Sequence, residues 1–230
     1  MSWKAEAKIR AASLAVDHVE SGMVVGLGSG STAAEAIRII GQRIKAGELK
    51  DVKGVPTSYQ AVQESVRAML PMTTLDEYPE LDLGIDGADQ IDRCLNAIKG
   101  GGGALLREKI VASCCREYIL IGDDEKLTDV LGTNQPVYLE IHPIAVVPIT
   151  RKLERMGAKA VVRMGAGKVG PVVTDNGNNL IDANFGPIDD LDALNRRLHE
   201  VQGVLETGLF VGYAKRAYIG TRDSVYELTR

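Results

Sequence analysis

Four short aliphatic runs constrain this chain more than any other feature: Met23–Gly28, Val52–Val55, Leu81–Asp86 and Tyr118–Gly122. Each has the length and apolar character of a buried parallel strand. Between them lie stretches with helical spacing, from Thr32 to about Ala46, Tyr59–Leu70 and Leu105–Cys115. Strands that alternate with helices predict a parallel sheet with helices on both faces. Ahead of the first strand, Ser2 can cap a helix reaching about Glu20, with Ile9, Ala12, Val16 and Val19 on one face and Gly22 as its stop. Thr32 and Glu35 fit a T-x-x-E capping box at the start of the next helix.

The rhythm changes after Leu131. Val137–Ile141 reads as a strand, Ile144–Met156 as a helix and Ala160–Arg163 as a strand, after which Met164–Pro171 reads as a loop. Val172–Thr174 and Leu180–Ala183 can pair across the turn Asp175–Asn178. A helix at Leu191–His199 and a strand at Val204–Phe210 complete a β-α-β-β-α-β order. The tail, Ala217–Gly220 and Ser224–Leu228, is too short for a domain and is expected to rejoin the first sheet. The expected division is residues 1–131 with 207–230 as one unit and 132–206 as the other.

Composition narrows the function classes. A net charge of −4 over 230 residues argues against a general binder of nucleic acid or membrane surface, so an anionic ligand needs a local site. No stretch reaches the roughly 18 apolar residues of a membrane span. The first twenty residues read as a helix and not as a signal peptide. Cys94, Cys114 and Cys115 make an odd count with one vicinal pair, which suits reduced thiols in the cytoplasm.

Three loops that follow the strands can carry chemistry, because ligands of open parallel sheets collect at the carboxyl ends of the strands. In Gly26–Thr32, GLGSGST, small residues at a strand-to-helix turn let backbone N–H groups and a helix N-terminus approach an anion. It is neither a Walker A loop nor a clean G-x-G-x-x-G, and Val55-Pro56-Thr57 lacks the ribose-binding acid of a dinucleotide fold. A tight turn that merely needs glycine is the alternative reading. In Asp86–Asp92, DGADQID, Asp86, Asp89 and Asp92 place at least one carboxylate in the strand-end cleft, against the alternative of a solvated turn. In Ile98–Ile110, IKGGGGALLREKI, four successive glycines permit close backbone approach, with Lys99 at one edge and Glu108 one turn into the next helix. Surface positions are the alternative for both of those charges.

The remaining inventory is negative. His18, His142 and His199 are isolated, no Cys/His cluster has zinc spacing, and there is no G-x-S-x-G elbow. A carboxylate base beside a cation and an anion loop suits proton abstraction next to a carbonyl on a small phosphorylated substrate.

The trio GLGSGST, DGAD and KGGGGALLREKI resembles the ribose-5-phosphate isomerase A family along nearly the whole chain. GDDEK with Lys126, TDNGN at Thr174–Asn178 and GLF at Gly208–Phe210 extend the likeness. Departures are small: Ser29 stands where many relatives have Thr, and Gly103 where others have Ala. The resemblance implies a Rossmann-like α/β domain carrying an inserted ferredoxin-like (split βαβ) α+β domain that serves as an oligomer interface. It implies a cytoplasmic homodimer or homotetramer of the pentose phosphate pathway that interconverts ribose 5-phosphate and ribulose 5-phosphate. No metal, organic cofactor, nucleic acid or membrane is implied. By motif, Glu108 is the implied base of an enediolate mechanism. Lys99 steadies the oxyanion with backbone N–H groups of Gly100, Gly101 and Gly102. Asp86 shuttles hydroxyl protons and assists ring opening, with Gly87, Ala88 and Asp89 beside it. Ser29, Gly30, Ser31, Thr32 and Lys126 are the remaining implied substrate contacts. Related sensor proteins carry a DNA-binding module, whereas one helix alone precedes the first strand here. The chain is also short for a coenzyme A transferase of the same superfamily.

Overall fold

A computed structural model describes residues 2–167 and 169–230. Helix α1 (Trp3–Val16) opens the fold, with the Ser2 hydroxyl accepting from the Ala5 N–H at 3.4 Å as its cap. There follow β1 (Val24–Leu27), α2 (Ser31–Lys45), β2 (Lys53–Pro56), α3 (Tyr59–Arg67) and β3 (Leu81–Gly87). Two short strands, β4 (Gln90–Ile91) and β5 (Ala97–Ile98), lead to α4 (Leu105–Cys114). Strand β6 (Cys115–Asp123) comes next and ends in a 3-10 turn at Asp124–Lys126. The second half runs β7 (Val137–Ile141), a 3-10 turn at Pro143–Ala145, α5 (Val146–Arg155), β8 (Lys159–Val162) and β9 (Asn179–Asn184). It closes with α6 (Leu191–His199), β10 (Val204–Thr207), β11 (Leu209–Phe210), β12 (Arg216–Gly220) and β13 (Val225–Thr229).

The first sheet has the order β13-β12-β6-β3-β1-β2, parallel from β12 to β2, with β13 as an antiparallel edge. The tail therefore rejoins the first sheet as expected. Helices α1, α2 and α3 cover one face, where Ala11, Ala12 and Ala15 of α1 and Ile37 and Ile40 of α2 pack on Val25, Ile85 and Ile119. The alanines let α1 and α2 approach closely, and each buried isoleucine contributes about 1.5–3 kcal/mol. Helix α4 lies on the other face, with Val111 against Val24, Val55 and Leu81.

The second sheet is antiparallel in the order β10-β7-β9-β8. Helices α5 and α6 bury Ile149, Leu153 and Leu198 in its core. The order β7-α5-β8-β9-α6-β10 is the one read from the sequence. A third, three-stranded sheet, β11-β5-β4, goes beyond that reading. It arises because the run Val204–Phe210, expected as one strand, divides at Gly208. There the N–H donates to Tyr138 O in the second sheet and the carbonyl accepts from Lys99 N. The chain crosses between sheets at that residue.

Two further expectations change. Val172–Thr174 forms no regular strand; the hairpin is reduced to a bridge between Val173 and Asn179 and the turn from Thr174 to Asn178. Of the loop Met164–Pro171, Lys168 lies outside the described residues. The capping box of Thr32 and Glu35 is also absent. Gly30 is the N-cap, at φ +93°, so the helix begins before Thr32, and Glu35 pairs with Arg38 at 2.6 Å. Among the described residues no helix is long and apolar enough to cross a membrane.

Candidate active site

Strands β1, β3 and β6 end on one edge of the first sheet, and the loops after them converge on a cleft of about 300 Å³. At its floor three charged groups meet. The Lys99 ammonium lies 3.0 Å from Asp86 Oδ2 and 3.2 Å from Glu108 Oε2, and donates to the Gly87 carbonyl at 2.6 Å. Lys99 and Glu108 are both buried, although they line the cleft. Beyond this ion pair with Lys99, Glu108 Oε2 has no hydrogen-bond partner among the described residues. Helix α4 presents Glu108 from its first turn, directly after the glycine run.

The electrostatics follow from counting charges. Burial pushes Glu108 up, the Asp86 carboxylate adds to that, and Lys99 only partly opposes them, so its pKa stands at about 8. Burial alone would lower the Lys99 pKa, but Asp86 and Glu108 outweigh it and hold it above the usual lysine value. Tyr118, whose hydroxyl donates to Asp86 Oδ2 at 3.0 Å, is pushed well up by burial and by both acids. The result is a carboxyl group poised to take a proton near neutral pH, with a permanent cation beside it.

Asp86, implied as a substrate contact, does not itself line the cleft. It is 1% exposed and lies beneath the cleft wall. Oδ1 accepts from the N–H groups of Ser29 and Gly87, at 3.1 and 2.7 Å, and Oδ2 faces Tyr118 and Lys99. A side chain at Gly28 would put its Cβ 2.1 Å from Asp86 Oδ1, so the GLGSGST loop closes over Asp86 only because position 28 has none. Asp89 does line the cleft, half-buried, and accepts from Gly101 N–H at 2.7 Å. That bond takes up one of the three N–H groups assigned to the oxyanion, while Gly100 and Gly102 lie on the cleft wall.

The other end of the cleft suits an anion. The N-terminus of α2 faces it with no side-chain cap, flanked by Ser31 and Thr32. Lys8 of α1 donates to the Ser31 hydroxyl at 3.1 Å, and Lys126 reaches the same cleft from the turn after β6. Ser29 lines the cleft too, with its hydroxyl bonded to those of Thr57 and Ser58 at 2.8 and 2.6 Å. Gly87 and Ala88 complete this wall.

Lys8, Ser58, Gln60, Val172 and Val173 line the cleft without standing out in the sequence, and Thr174 and Asp175, marked there only as part of TDNGN, join them. Ser58 and Gln60 follow β2, so the strand-end argument applied to the first three loops reaches them as well. Lys8 carries no local signal, since a lysine on an amphipathic helix reads as solvated. Val172–Asp175 comes from the second sheet's hairpin, which only packing brings to the cleft.

A parallel-sheet fold with a carboxyl base, a cation and an anion cradle at the strand ends defines an enzyme that moves protons on a small phosphorylated substrate. Comparison with known proteins gives this class its family. The family model for ribose 5-phosphate isomerase A (phosphoriboisomerase A) matches residues 53–224, and the chain belongs to that family. The ribose-5-phosphate isomerase A of Trichodesmium erythraeum is 44% identical over 216 residues, 94% of this chain and 91% of the relative. That of Pyrococcus horikoshii is 43% identical over 225 residues, 98% of each. A D-ribose-5-phosphate isomerase solved in complex with phospho-erythronic acid superposes with a TM-score of 0.97 at 43% identity, over 100% of both chains.

Proposed function

We infer that this chain interconverts ribose 5-phosphate and ribulose 5-phosphate by moving one proton between carbons 2 and 1, with Glu108 as the carrier. The observation that carries the assignment is the buried Glu108 carboxyl at the cleft floor, 3.2 Å from the Lys99 ammonium, its Oε2 without a further hydrogen-bond partner among the described residues. From the open-chain aldose, Glu108 takes the proton on carbon 2 as the carbonyl at carbon 1 becomes the enediolate. The Lys99 ammonium lowers the cost of that negative charge. Glu108 then returns the proton to carbon 1, the hydroxyl proton on oxygen 2 passes to oxygen 1, and the ketose forms. Asp86, with Asp89 beside it on the cleft wall, is read as serving hydroxyl protons and ring opening. Asp86 acts from below, fixing Lys99 and keeping Glu108 basic.

The phosphate is read as lying at the α2 N-terminus, on Ser31, Thr32, Lys8 and Lys126. The four-carbon acid named for the solved relative supports a phosphorylated sugar as the substrate. It pairs a phosphate with a carboxylate that resembles the two oxygens of an enediolate.

In heavy water with a chelator present, ribose 5-phosphate should give ribulose 5-phosphate, with deuterium exchanged at carbon 2 of the recovered aldose. The Glu108→Gln protein should do neither. Full turnover by that variant would overturn the assignment of the base.

The remaining readings extend this one. We propose residues 1–131 with 207–230 as the catalytic unit and 132–206 as the face for association into a dimer or tetramer. The strongly exposed Ile144 and Val147 of that second unit support this, and light scattering tests it. The free thiols of Cys94, Cys114 and Cys115 support a cytoplasmic setting.

A further inference from the structure

Glu140 lies in the middle of β7, where all five residues are buried, and is itself 0% exposed. Tyr138, which shares its face of the strand, belongs to the apolar core, so a carboxylate at 140 is not what packing alone would favour. One carboxyl oxygen, Oε1, accepts three hydrogen bonds from a single turn. The donors are the Thr174 hydroxyl at 2.8 Å and the side-chain amides of Asn176 and Asn178 at 2.9 and 2.8 Å. Oε2 is buried and has no hydrogen-bond partner among the described residues. A buried acid with one such oxygen is costly to keep, and what it gains is the turn.

That turn is a wall of the cleft. Thr174 and Asp175 line it, together with Val172 and Val173. The turn also reaches across to the first sheet's helices. Asp175 Oδ2 accepts from the Tyr59 N–H at the start of α3, at 2.8 Å. Asn176 donates its amide N–H to Glu140 and its amide oxygen accepts from Arg107 Nε at 2.6 Å, while Arg107 also donates to the Asp175 carbonyl at 2.9 Å. Arg107 immediately precedes Glu108. A continuous relay thus runs from β7 through Asn176 to the residue beside the base.

We propose that Glu140 is a positioning residue for the substrate cleft, holding the Thr174–Asn178 turn against α3 and α4 so that the second sheet closes the pocket around the sugar phosphate. The proposal rests on the cleft being the substrate site. Glu140 touches no reacting atom; it fixes the wall that does the enclosing, so its loss reads out in substrate binding before turnover.

Steady-state kinetics on ribose 5-phosphate with Glu140→Ala, Glu140→Gln and Arg107→Ala test this. Glu140→Ala should raise KM about tenfold and change kcat less than about threefold, the loss expected when three donors lose a shared acceptor. Glu140→Gln retains an amide oxygen for those donors and should recover most of the affinity. Arg107→Ala cuts the relay at its far, half-exposed end and should raise KM in the same direction by about threefold. It remains a sufficient test if Glu140→Ala fails to fold. An unchanged KM in Arg107→Ala and in the folded Glu140 variants, with only thermal stability lowered, would overturn the proposal. Retained turnover in Glu108→Gln would instead overturn the reading of the site beneath it.

Discussion

Two lysines ten positions apart, Lys99 and Lys109, both approach one aromatic ring, with ammonium groups 5.3 and 4.9 Å from the centre of Phe210. Both are buried, at 2% and 4% exposure. They differ in company. Lys99 faces two carboxyl groups, Asp86 and Glu108, and its pKa is raised. Lys109 faces one, Glu206, at 2.8 Å, with the Thr207 carbonyl and hydroxyl completing its shell, and burial lowers its pKa. The Lys109 pocket is balanced and joins α4 to the end of β10. The Lys99 pocket carries a second acid, and burial, with that second carboxylate adding to it, raises Glu108 to a useful basicity. Burial is common to both pockets; the second carboxyl group is what sets the Lys99 pocket apart.

This contrast can be broken from either side, and the largest effect belongs to the raised acid itself. Glu108→Gln should lower kcat by about a thousandfold or more, as loss of a general base does, while a phosphorylated sugar acid still binds in calorimetry. Lys99→Met comes next, with kcat reduced about 10²–10³-fold for want of the cation at the developing enediolate. Lys109→Met should keep kcat within about threefold and instead cost about 2–3 kcal/mol of stability in urea unfolding, because Glu206 loses its partner. Equal kinetic damage from the two lysine variants would erase the distinction.

The pH dependence sharpens it. Glu108 must be ionised to accept a proton, so kcat/KM should fall tenfold per pH unit below about 8. Lys99→Met removes the opposing cation and should move that limb upward, whereas Lys109→Met should leave it in place. The smallest effect is one of stability. The folded pKa of Glu108 stands above the ordinary value of 4.5, so its favourable contribution is complete below about 4.5 and is lost as pH rises through about 8. Glu108→Gln cannot ionise and should raise Tm by about 2–5 °C at pH 9 relative to the unmodified chain. A variant that melts lower at pH 9 would mean that Glu108 carries no such burden.

Much of the fold is legible in the sequence because its signals are local. The apolar runs that form β1, β2, β3 and β6 and the periodic stretches that form α2, α3 and α4 each announce themselves within about a dozen residues. Sequence and structure part where distant partners intervene. Val204–Phe210 divides because Gly208 bonds both Tyr138 and Lys99, and the capping box of Thr32 yields to Gly30 at positive φ. At the site, the glycine-rich loops point to Ser31, Thr32, Lys99 and Glu108, all of which line one cleft. Lys8 does not stand out, and Asp175 does so only within TDNGN, because each is brought there by packing between elements remote in sequence.

The sequence by itself determined the strand–helix alternation, the loops that carry chemistry and the family, because periodicity, glycine placement and motif order are properties of neighbouring residues. Only the tertiary structure decided that Asp86 lies beneath the cleft, that Lys99 stands between two acids while Lys109 has one, and that a turn from the second sheet walls the pocket. Those are matters of burial and of distance between residues far apart in the chain, and both exist only once the chain has packed.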